Sequence, residues 1–370
     1  MMNTSIGFIS YALDRAPGGI GRYTKELMGA LREAGTGLTV LQAGRTSTDA
    51  VSLPGARLLP GLLTVGQVQI AWNAWRRRLA LVHDPTGSMP LFVTGARRVA
   101  TIHDVIPYIY PETSTKLDWF IYRFWLPLAV RRLDAILTDS QQSKKDIVTH
   151  LSVKKEKVFV IPCAANDRYR PLDKNDIQAA LARYEINEPY ILYVGSLEAR
   201  KNLPRLLQAY AQLRQRLQKW KLVIVGARKW KFSPIFETIQ RLDLGSDIHF
   251  TGYIEEQDLP ALYNGADLFV FPSLYEGFGL PVLEAMACGT PVVTSNSSSL
   301  PEVAGDAAIL VDPYNVEAIA EAMQRVLSDS ALATAMRKKG LAQATKFTWA
   351  RAAKETMAVY EQVLAKDRKP

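Results

Sequence analysis

Short apolar runs alternate with longer amphipathic segments along most of this chain. Runs of about four to eight mainly apolar residues, bounded by glycine or polar residues, are typical of strands buried in a parallel sheet. Such runs predict strands at Ser5–Leu13, Arg98–Asp104, Asp134–Ser140, Lys157–Pro162, Tyr190–Ser196, Lys221–Ala227, Asp247–Tyr253, Ala266–Ser273 and Thr290–Ser295. Elsewhere apolar residues recur every three or four positions, as at Tyr23, Leu27 and Leu31. This spacing predicts helices, among them one from about Arg22 to Ala34 and one from Pro204.

One polar segment interrupts the alternation. Ala164–Asp176 is polar, contains Pro171 and separates two blocks of strands and helices, so we interpret it as a linker. Strands that alternate with helices form parallel sheets covered on both faces. The predicted fold class is therefore α/β, with two doubly wound, Rossmann-like domains facing a cleft. We place the first domain at residues 1–167, the second at 168–347 and a final helix at 348–370.

Length and composition favour a globular protein of two domains. The chain has 370 residues, more than a single domain core usually contains. Of these, 48% are hydrophobic and 22% charged, and this composition excludes a disordered chain. No apolar run is long enough to cross a bilayer, and the N-terminus lacks the pattern of an export signal. The spacing of Cys163 and Cys288 does not exclude a disulfide, but two cysteines in so long a chain favour a reducing compartment. We expect a cytoplasmic protein.

Charge is distributed unevenly. Residues 1–170 hold 22 Lys and Arg against 13 Asp and Glu, whereas residues 171–370 hold 23 of each sign, so the first half carries the whole net charge of +9. Aromatic residues stand beside arginines in Ser114–Ala135, and Trp72 and Trp75 precede Arg76–Arg78. These segments fit helices packed in the first domain, and they also fit a peripheral contact with an anionic membrane surface.

The stretch YEGFGLPVLEAMACGTPVV, which begins at residue 275, carries two acids around a glycine-rich turn. Pro281 suits the first turn of a helix, so Gly277–Leu280 is expected to enter a helix N-terminus, whose free N–H groups suit a phosphate. We place Glu284 in the first helical turn and Glu276 before the loop. Carboxylates accept hydrogen bonds from the vicinal hydroxyls of a ribose or hexose. The alternative is a helix cap for one acid and a surface ion pair for the other.

Three further features are candidates for a binding site. Arg200 and Lys201 follow a strand end and a glycine, where they can grip an anionic leaving group or form an ordinary solvated pair. His103 ends an apolar run and is expected to face a ligand or to be an edge-of-core histidine. Gly19 lies in a glycine-rich loop after the first strand. The sequence contains neither an Asp-x-Asp pair nor a Cys/His cluster, so it predicts no metal site.

Taken together, these motifs resemble the retaining glycosyltransferases of family 4, which have the GT-B fold. The resemblance rests on PSLYEGFGLPVLEAMACGTPVV, YVGSLEARKNLPRLLQAY, HFTGYI and LYNGADLFVFPS, and in the first half on GGIGRYTKELMGAL and TIHDVIP. It implies that His103 and Glu276 act at the reacting sugar. It also implies a donor site formed by Gly19, Arg200, Lys201, Tyr253, Phe278, Gly279, Leu280 and Glu284. Within it, Arg200 and Lys201 would hold the diphosphate and Glu284 the ribose.

The resemblance is strongest to bacterial mannosyltransferases of surface polysaccharide synthesis. It implies transfer of a hexose, mannose from GDP-mannose, to a saccharide or lipid-linked acceptor. It further implies no cofactor, no metal and no nucleic-acid partner, and a final helix that returns to the first domain. A UDP-sugar donor, an epimerase or phosphorylase of the same architecture, and a catalytically silent nucleotide-binding scaffold remain alternatives.

Overall fold

The computed structural model describes residues 5–11, 18–43, 50–54, 63–87, 89–113, 115–226, 233–252 and 254–366. The chain divides into two compact units, Met1–Cys163 with Thr348–Pro370, and Ala164–Phe347. The first division therefore falls at Cys163, a few residues before the boundary at 167 that the linker pattern predicts. The last segment belongs to the first unit although it follows the second in sequence.

A parallel sheet of seven strands forms the centre of the first unit. The strands are β1 (Ile6–Tyr11), β2 (Leu38–Ala43), β3 (Val51–Leu53), β4 (Leu81–Asp84), β5 (Arg97–Thr101), β6 (Ala135–Thr138) and β7 (Val158–Val160), in the order β3-β2-β1-β4-β5-β6-β7. The α-helices described in this unit are Gly19–Glu33, Val65–Arg76, Ile106–Ile109, Lys116–Phe120, Leu126–Arg132, Gln141–Leu151 and Trp349–Ala365. A π-helical turn, Ile121–Trp125, joins two of them.

The second unit contains a parallel sheet of six strands. These are β8 (Tyr190–Val194), β9 (Lys221–Val225), β10 (Ile248–Gly252), β11 (Leu268–Phe271), β12 (Val292–Ser295) and β13 (Ile309–Val311), in the order β10-β9-β8-β11-β12-β13. The α-helices described in this unit are Lys174–Arg183, Leu203–Arg216, Ser233–Arg241, Leu259–Gly265, Leu280–Ala287, Leu300–Ala304, Val316–Ser328 and Ser330–Ala344. The central strand β11 is buried along its whole length, as its run of apolar residues predicts.

Both sheets are doubly wound, and each has one point where the strand order reverses. In the first unit the reversal lies between β1 and β4, and in the second between β8 and β11. Ligands of open α/β sheets bind beyond the carboxyl ends of the strands at such a point. The loops that follow these strands are therefore where each unit is built to hold a ligand.

The strands β2, β3, β4 and β13 are not among those that the sequence predicts, because they are short or mix apolar and polar residues. All four residues of β4 are buried, including His83 and Asp84, so burial and not hydropathy identifies that strand. The first helix begins at Gly19, earlier than the predicted start near Arg22. Gly18 is its N-terminal cap residue, so Gly19 lies in the first helical turn and not in a loop as predicted.

The final helix, Trp349–Ala365, packs against Gly19–Glu33. Thr348 begins it by accepting a hydrogen bond from the backbone N–H of Arg351. Tyr360 reaches His83 of β4 at 2.6 Å, which ties this helix to the middle of the sheet. Cys163 and Cys288 are buried free thiols in different units. In the part of the chain that the structure describes, no helix has the length and apolarity that a bilayer crossing requires.

Candidate functional site

A buried cluster of one acid and two bases lies at the strand-order reversal of the second sheet. Lys201 Nζ lies 2.7 Å from Glu276 Oε1, and Arg200 approaches the same oxygen at 3.0 Å. Lys201 and Arg200 come from the loop after β8, and Glu276 from the loop after β11, the neighbouring strand. Each of the three residues is at most 8% exposed. The alternative of an ordinary solvated Arg-Lys pair is therefore wrong.

Hydroxyl groups complete the surroundings of Glu276. Ser273 donates to Glu276 Oε1 at 2.5 Å, and Ser298 accepts from the Glu276 backbone N–H at 3.0 Å. Ser299 donates to the backbone carbonyls of Glu276 and Phe278, at 2.9 and 2.7 Å. One carboxylate oxygen thus contacts three donor groups, so the side chain is held in a single orientation. The sequence does not predict the serines that follow β11 and β12 as part of the site.

The charge of this cluster follows from its contacts. Burial raises the pKa of Glu276, but Lys201 and Arg200 lower it by more, and the net pKa lies below its usual value. Burial lowers the pKa of Lys201, and the opposing effect of Glu276 only partly restores it. Glu198, which is less buried, contacts Arg200 from the side at 3.3 Å. Among the three buried side chains, two cations therefore stand against one ionised carboxylate near neutral pH.

Backbone anchors hold the cationic loop in place. Arg200 donates to the carbonyl of Tyr275 at 2.5 Å, which joins the two loops directly. Asn202 has a left-handed backbone, with φ of 62°, and donates to the carbonyls of Pro272 and Pro313 at 3.0 and 2.7 Å. Asparagine tolerates this conformation better than most residues. The helix Leu203–Arg216 starts directly after it.

The turn before the helix Leu280–Ala287 requires glycine. Gly279 has φ of 115°, and a Cβ there would lie 2.7 Å from Leu300 Cδ2. Pro281 stands in the first turn, as predicted, because its missing N–H costs nothing there. Phe278 is buried and its ring contacts Phe347 edge-on. The turn thus leads into a helix N-terminus, the end of a helix whose partial positive charge favours an anion.

Glu284 occupies a different position from the predicted one. The helix begins at Leu280, so Glu284 lies in its second turn and not in its first, and it is 2% exposed. Tyr263 donates to Glu284 Oε2 at 3.0 Å. The alternative of a helix cap and a surface ion pair is wrong for both acids. The position of Tyr263 in a neighbouring helix gives no sequence signal for this contact.

A second polar cluster lies beyond the carboxyl edge of the first sheet. His103 follows β5, as predicted, and its Nδ1 lies 2.6 Å from Asp139 Oδ2, while its Nε2 lies 3.3 Å from the carbonyl oxygen of Pro85. The Tyr23 ring packs edge-on against the imidazole at 4.6 Å. Asp139 directly follows β6, the neighbour of β5, and the sequence does not predict it as a site residue.

The remaining predicted donor residues are Gly19, Tyr253 and Leu280. Gly19 is the first residue of the helix Gly19–Glu33 and is exposed, and a Cβ added there would meet nothing within 4 Å. Tyr253 lies outside the described residues. Leu280 is half-buried at the start of its helix. Among the described residues, no group of three or more His, Cys, Asp or Glu side chains is arranged to hold a metal ion.

Comparison with known proteins places these clusters in a family. Residues 174–343 match the family of glycosyl transferases group 1, and residues 17–169 match glycosyltransferase family 4. The chain is 34% identical over 293 residues to O-antigen chain mannosyltransferase B of Escherichia coli, a match that covers 79% of this chain and 76% of that protein. It is 28% identical to the MMP alpha-(1->4)-mannosyltransferase of Mycolicibacterium hassiacum, over 89% of this chain and 78% of the relative.

Solved structures show the same fold. HepE from Anabaena, solved in complex with UDP and glucose, matches with a TM-score of 0.79 over 97% of this chain and 100% of that one. The sequence identity of this pair is 19%, so the match establishes architecture alone. The two parallel-sheet units are thus those of a GT-B glycosyltransferase, and the predicted fold class is confirmed.

Proposed function

The chain belongs to glycosyltransferase family 4, and on that premise we propose that it transfers mannose from GDP-mannose to a saccharide acceptor with retention at the anomeric carbon. The observation that carries this proposal is the buried contact of Glu276 with Lys201 and Arg200 at the strand-order reversal of the second sheet. The choice of mannose rests on the relatives, which are named mannosyltransferases.

The charges of this cluster suit the departure of a nucleoside diphosphate. As the glycosidic bond breaks, negative charge develops on the leaving phosphate, and fixed cations stabilise it. Lys201 and Arg200 are held for this by Glu276 and by the carbonyl of Tyr275. Their charges are already ordered before the donor binds, so little reorganisation is needed during the reaction.

Retention without a covalent intermediate fits the state of Glu276. A carboxylate that attacks the sugar needs enough basicity. Glu276 Oε1 already contacts Lys201, Arg200 and Ser273, and its pKa is lowered by the two cations despite burial. We therefore assign Glu276 to binding the hexose and to ordering the cations. We assign the attack to the acceptor hydroxyl on the face that the leaving phosphate vacates, and the proton of this hydroxyl passes to that phosphate.

The same cations support a reaction that needs no metal. Lys201 and Arg200 provide at the diphosphate the positive charge that a divalent cation provides in other transferases. We expect transfer to be unchanged by chelators. Activity that disappears with EDTA and returns with one divalent metal would contradict this.

Calorimetric titration with GDP and with UDP, in the absence of metal, tests the donor. Tight binding of GDP with weak binding of UDP supports GDP-mannose, and the acceptor screen then begins with mannose-containing saccharides. The reverse result overturns the mannosyl assignment in favour of a UDP-glucose or UDP-N-acetylhexosamine donor. Product analysis with an added acceptor separates transfer from epimerisation or phosphorolysis. A protein that binds GDP yet never turns over a donor, even by slow hydrolysis, is a scaffold.

The acceptor side of the proposal includes a membrane contact. Val65, Val68, Trp72 and Trp75 lie on the outer side of the helix Val65–Arg76 and are 54–65% exposed. A second exposed group consists of Phe92, Leu117, Trp119, Phe120, Phe124 and Leu128. We call the two groups the aromatic surface. Apolar area of this extent is unusual on a protein that contacts only water.

The two groups are joined through the loop before β5. The backbone N–H of Leu91 donates to Gln67 Oε1 at 2.9 Å, and the ring of the next residue, Phe92, contacts Trp125. Trp125 ends the π-helical turn, whose extra residue per turn changes the direction of the side chains around it. Phe124 contacts both Trp119 and Phe120 in this region. The loop before β5 thus contacts both of the elements that carry the aromatic surface.

Charge around the aromatic surface favours an anionic bilayer. The exposed arginines near it are Arg76, Arg77, Arg78, Arg123, Arg131 and Arg132. Within residues 65–78, 89–98 and 115–132 the only acidic residue is Asp118. Exposed aromatic rings at headgroup level together with arginines are typical of peripheral membrane contacts. We propose that this surface rests on the cytoplasmic face of a membrane that carries a lipid-linked acceptor.

Liposome flotation tests the membrane contact. The protein should float with vesicles that contain phosphatidylglycerol and should remain in solution with phosphatidylcholine alone. The double variant Trp119→Ser with Phe124→Ser should reduce flotation several-fold, whereas Tyr314→Ser, an equally exposed aromatic in the second unit, should not. Equal flotation with both types of vesicle would overturn the proposal, and so would equal flotation of the double variant and the wild type.

A further inference from the structure

The surroundings of His103 determine its charge. Its two ring nitrogens both face oxygen acceptors, namely the carboxylate of Asp139 at 2.6 Å and the carbonyl of Pro85 at 3.3 Å. A neutral imidazole carries one N–H and one lone pair. Either neutral tautomer would therefore direct a lone pair at an oxygen. Only the imidazolium, which has two N–H groups, can donate to both acceptors.

His83 in the same unit provides the contrast. Its Nδ1 lies 2.6 Å from the hydroxyl of Tyr360 and its Nε2 lies 2.9 Å from the hydroxyl of Thr101. A hydroxyl can donate or accept, so a neutral ring satisfies both contacts. Burial, with a smaller effect of the positive charge on His103, lowers the pKa of His83 to about 3. The contacts of His83 are thus satisfied by a neutral ring, whereas those of His103 require a charged one, because the two rings have different types of partner.

The other groups around His103 leave it as the local cation. Asp139 and Asp104 are the acids that act on it, and both favour its protonated form. Burial raises the pKa of the Tyr23 hydroxyl and of the Cys163 thiol well above their usual values, so both are neutral. Burial lowers the pKa of His103 itself, but Asp139, with smaller effects of Asp104 and the carbonyl of Pro85, raises it by more in total, so the net pKa is raised.

We propose that Asp139 is a positioning residue that holds His103 as an imidazolium, so that His103 meets the donor as a fixed cation and not as a proton acceptor. The inference rests on the proposed function and on the resemblance, which implies that His103 acts at the reacting sugar. The short contact to Asp139 anchors the ring through Nδ1, whereas the contact of Nε2 with Pro85 is long. An oxygen of the sugar or the phosphate can therefore replace the carbonyl of Pro85 as the acceptor of the Nε2–H, while Nδ1 stays bound to Asp139. Because the leaving phosphate takes the proton of the acceptor hydroxyl, His103 is not needed as a proton acceptor.

Titration of the histidine rings by NMR tests the charge without any substrate. The chain has four histidines, so labelling them with ¹⁵N gives a small set of imidazole signals, and His103→Gln identifies the relevant one. In the wild-type protein His103 should titrate above the ordinary value of 6.5, with both nitrogens protonated at lower pH. In Asp139→Asn it should titrate at lower pH than in the wild type. A wild-type ring that is neutral below pH 6.5 overturns the proposal.

Steady-state kinetics test the positioning role. Asp139→Asn should lower kcat by about tenfold or more near neutral pH, with a smaller change in KM, because a charge that acts on the transition state is lost. The decline of kcat at high pH should also begin at lower pH than in the wild type. The matched control is Asp134→Asn, at the opposite end of β6, where the carboxylate pairs with Arg97 and not with His103.

The outcomes separate this inference from the proposed function. If Asp139→Asn shows wild-type kcat and an unshifted pH profile, the positioning role is wrong even where transfer is established. If no donor is turned over but His103 titrates as expected, the proposed function fails while the assignment of charge stands. The wild-type titration needs no variant, so the charge is tested even if Asp139→Asn does not fold.

Discussion

Lys201 Nζ and Glu276 Oε1 lie 2.7 Å apart in the folded protein, although 75 residues separate them in sequence. The contact exists because β8 and β11 are neighbours in the sheet, which places the loops after them side by side. Removal of one partner leaves buried charge without compensation, and such losses are costly. Substitutions at this contact therefore separate binding of the diphosphate from transfer of the sugar.

Glu276→Ala should lower kcat by at least about a hundredfold while GDP still binds. The carboxylate would be missing from the sugar, but the diphosphate itself can neutralise Lys201 and Arg200, which Glu276 otherwise contacts. Transfer assays with calorimetry on the same preparation measure both effects. Full activity in this variant would remove Glu276 from the reaction.

Lys201→Ala should weaken binding of GDP by about 10–100-fold, the usual range for one buried charge-assisted hydrogen bond. Arg200→Ala should have a similar effect. It should also loosen the loop at Tyr275, because the Arg200 side chain donates a hydrogen bond to the carbonyl of Tyr275. Because burial lowers the pKa of Lys201, wild-type affinity should fall at a lower pH than expected for an ordinary lysine. The exposed Lys219→Ala is the control, and equal affinities in all three variants would place the diphosphate elsewhere.

Glu284→Gln should weaken binding of GDP but not of 2′,3′-dideoxy-GDP. A carboxylate has several acceptor sites, so Glu284 can accept from the ribose hydroxyls as well as from Tyr263. The amide of the variant has one acceptor oxygen and therefore accepts fewer of these hydrogen bonds. The comparison of the two nucleotides isolates the ribose contact. An equal loss for both nucleotides would mean that the substitution disturbs the helix and that Glu284 does not contact the ribose.

Gly279→Ala should destabilise the protein by about 1–3 kcal/mol, because its backbone conformation is nearly restricted to glycine. The added methyl group would also meet Leu300 Cδ2 at 2.7 Å. Gly245→Ala is the matched control, since a Cβ there would contact nothing within 4 Å and φ is not positive. Urea unfolding compares the two, and a similar small effect in both would show that the turn is not constrained.

His83 should make the protein sensitive to acid. Its pKa is about 3 in the folded state against an ordinary value of 6.5, so between these values the unfolded chain binds more protons and stability falls as pH falls. The contribution is about 1.4 kcal/mol per pH unit within that window. Relative to the wild type, His83→Gln should reduce the slope of unfolding free energy against pH by this amount. Identical slopes would show that His83 is protonated in the folded state.

Much of the fold follows from local patterns. The apolar runs identify most central strands, and the glycine-rich turn and Pro281 indicate the helix Leu280–Ala287. Short or polar strands such as Leu81–Asp84 escape prediction because four residues carry too little periodicity. The predicted position of Glu284 is one turn too early, since the position of a helix start within a loop is only weakly encoded.

The sequence by itself determined the residue types of the site and the family to which the chain belongs, because these lie in contiguous motifs. The tertiary structure alone decided which residues meet. Neither the partnership of Lys201 with Glu276 nor that of His103 with Asp139 is visible in a local pattern, since both depend on which strands are neighbours. The charge of His103 has the same origin: two acceptors from separate loops converge on one ring, and only folding brings them together.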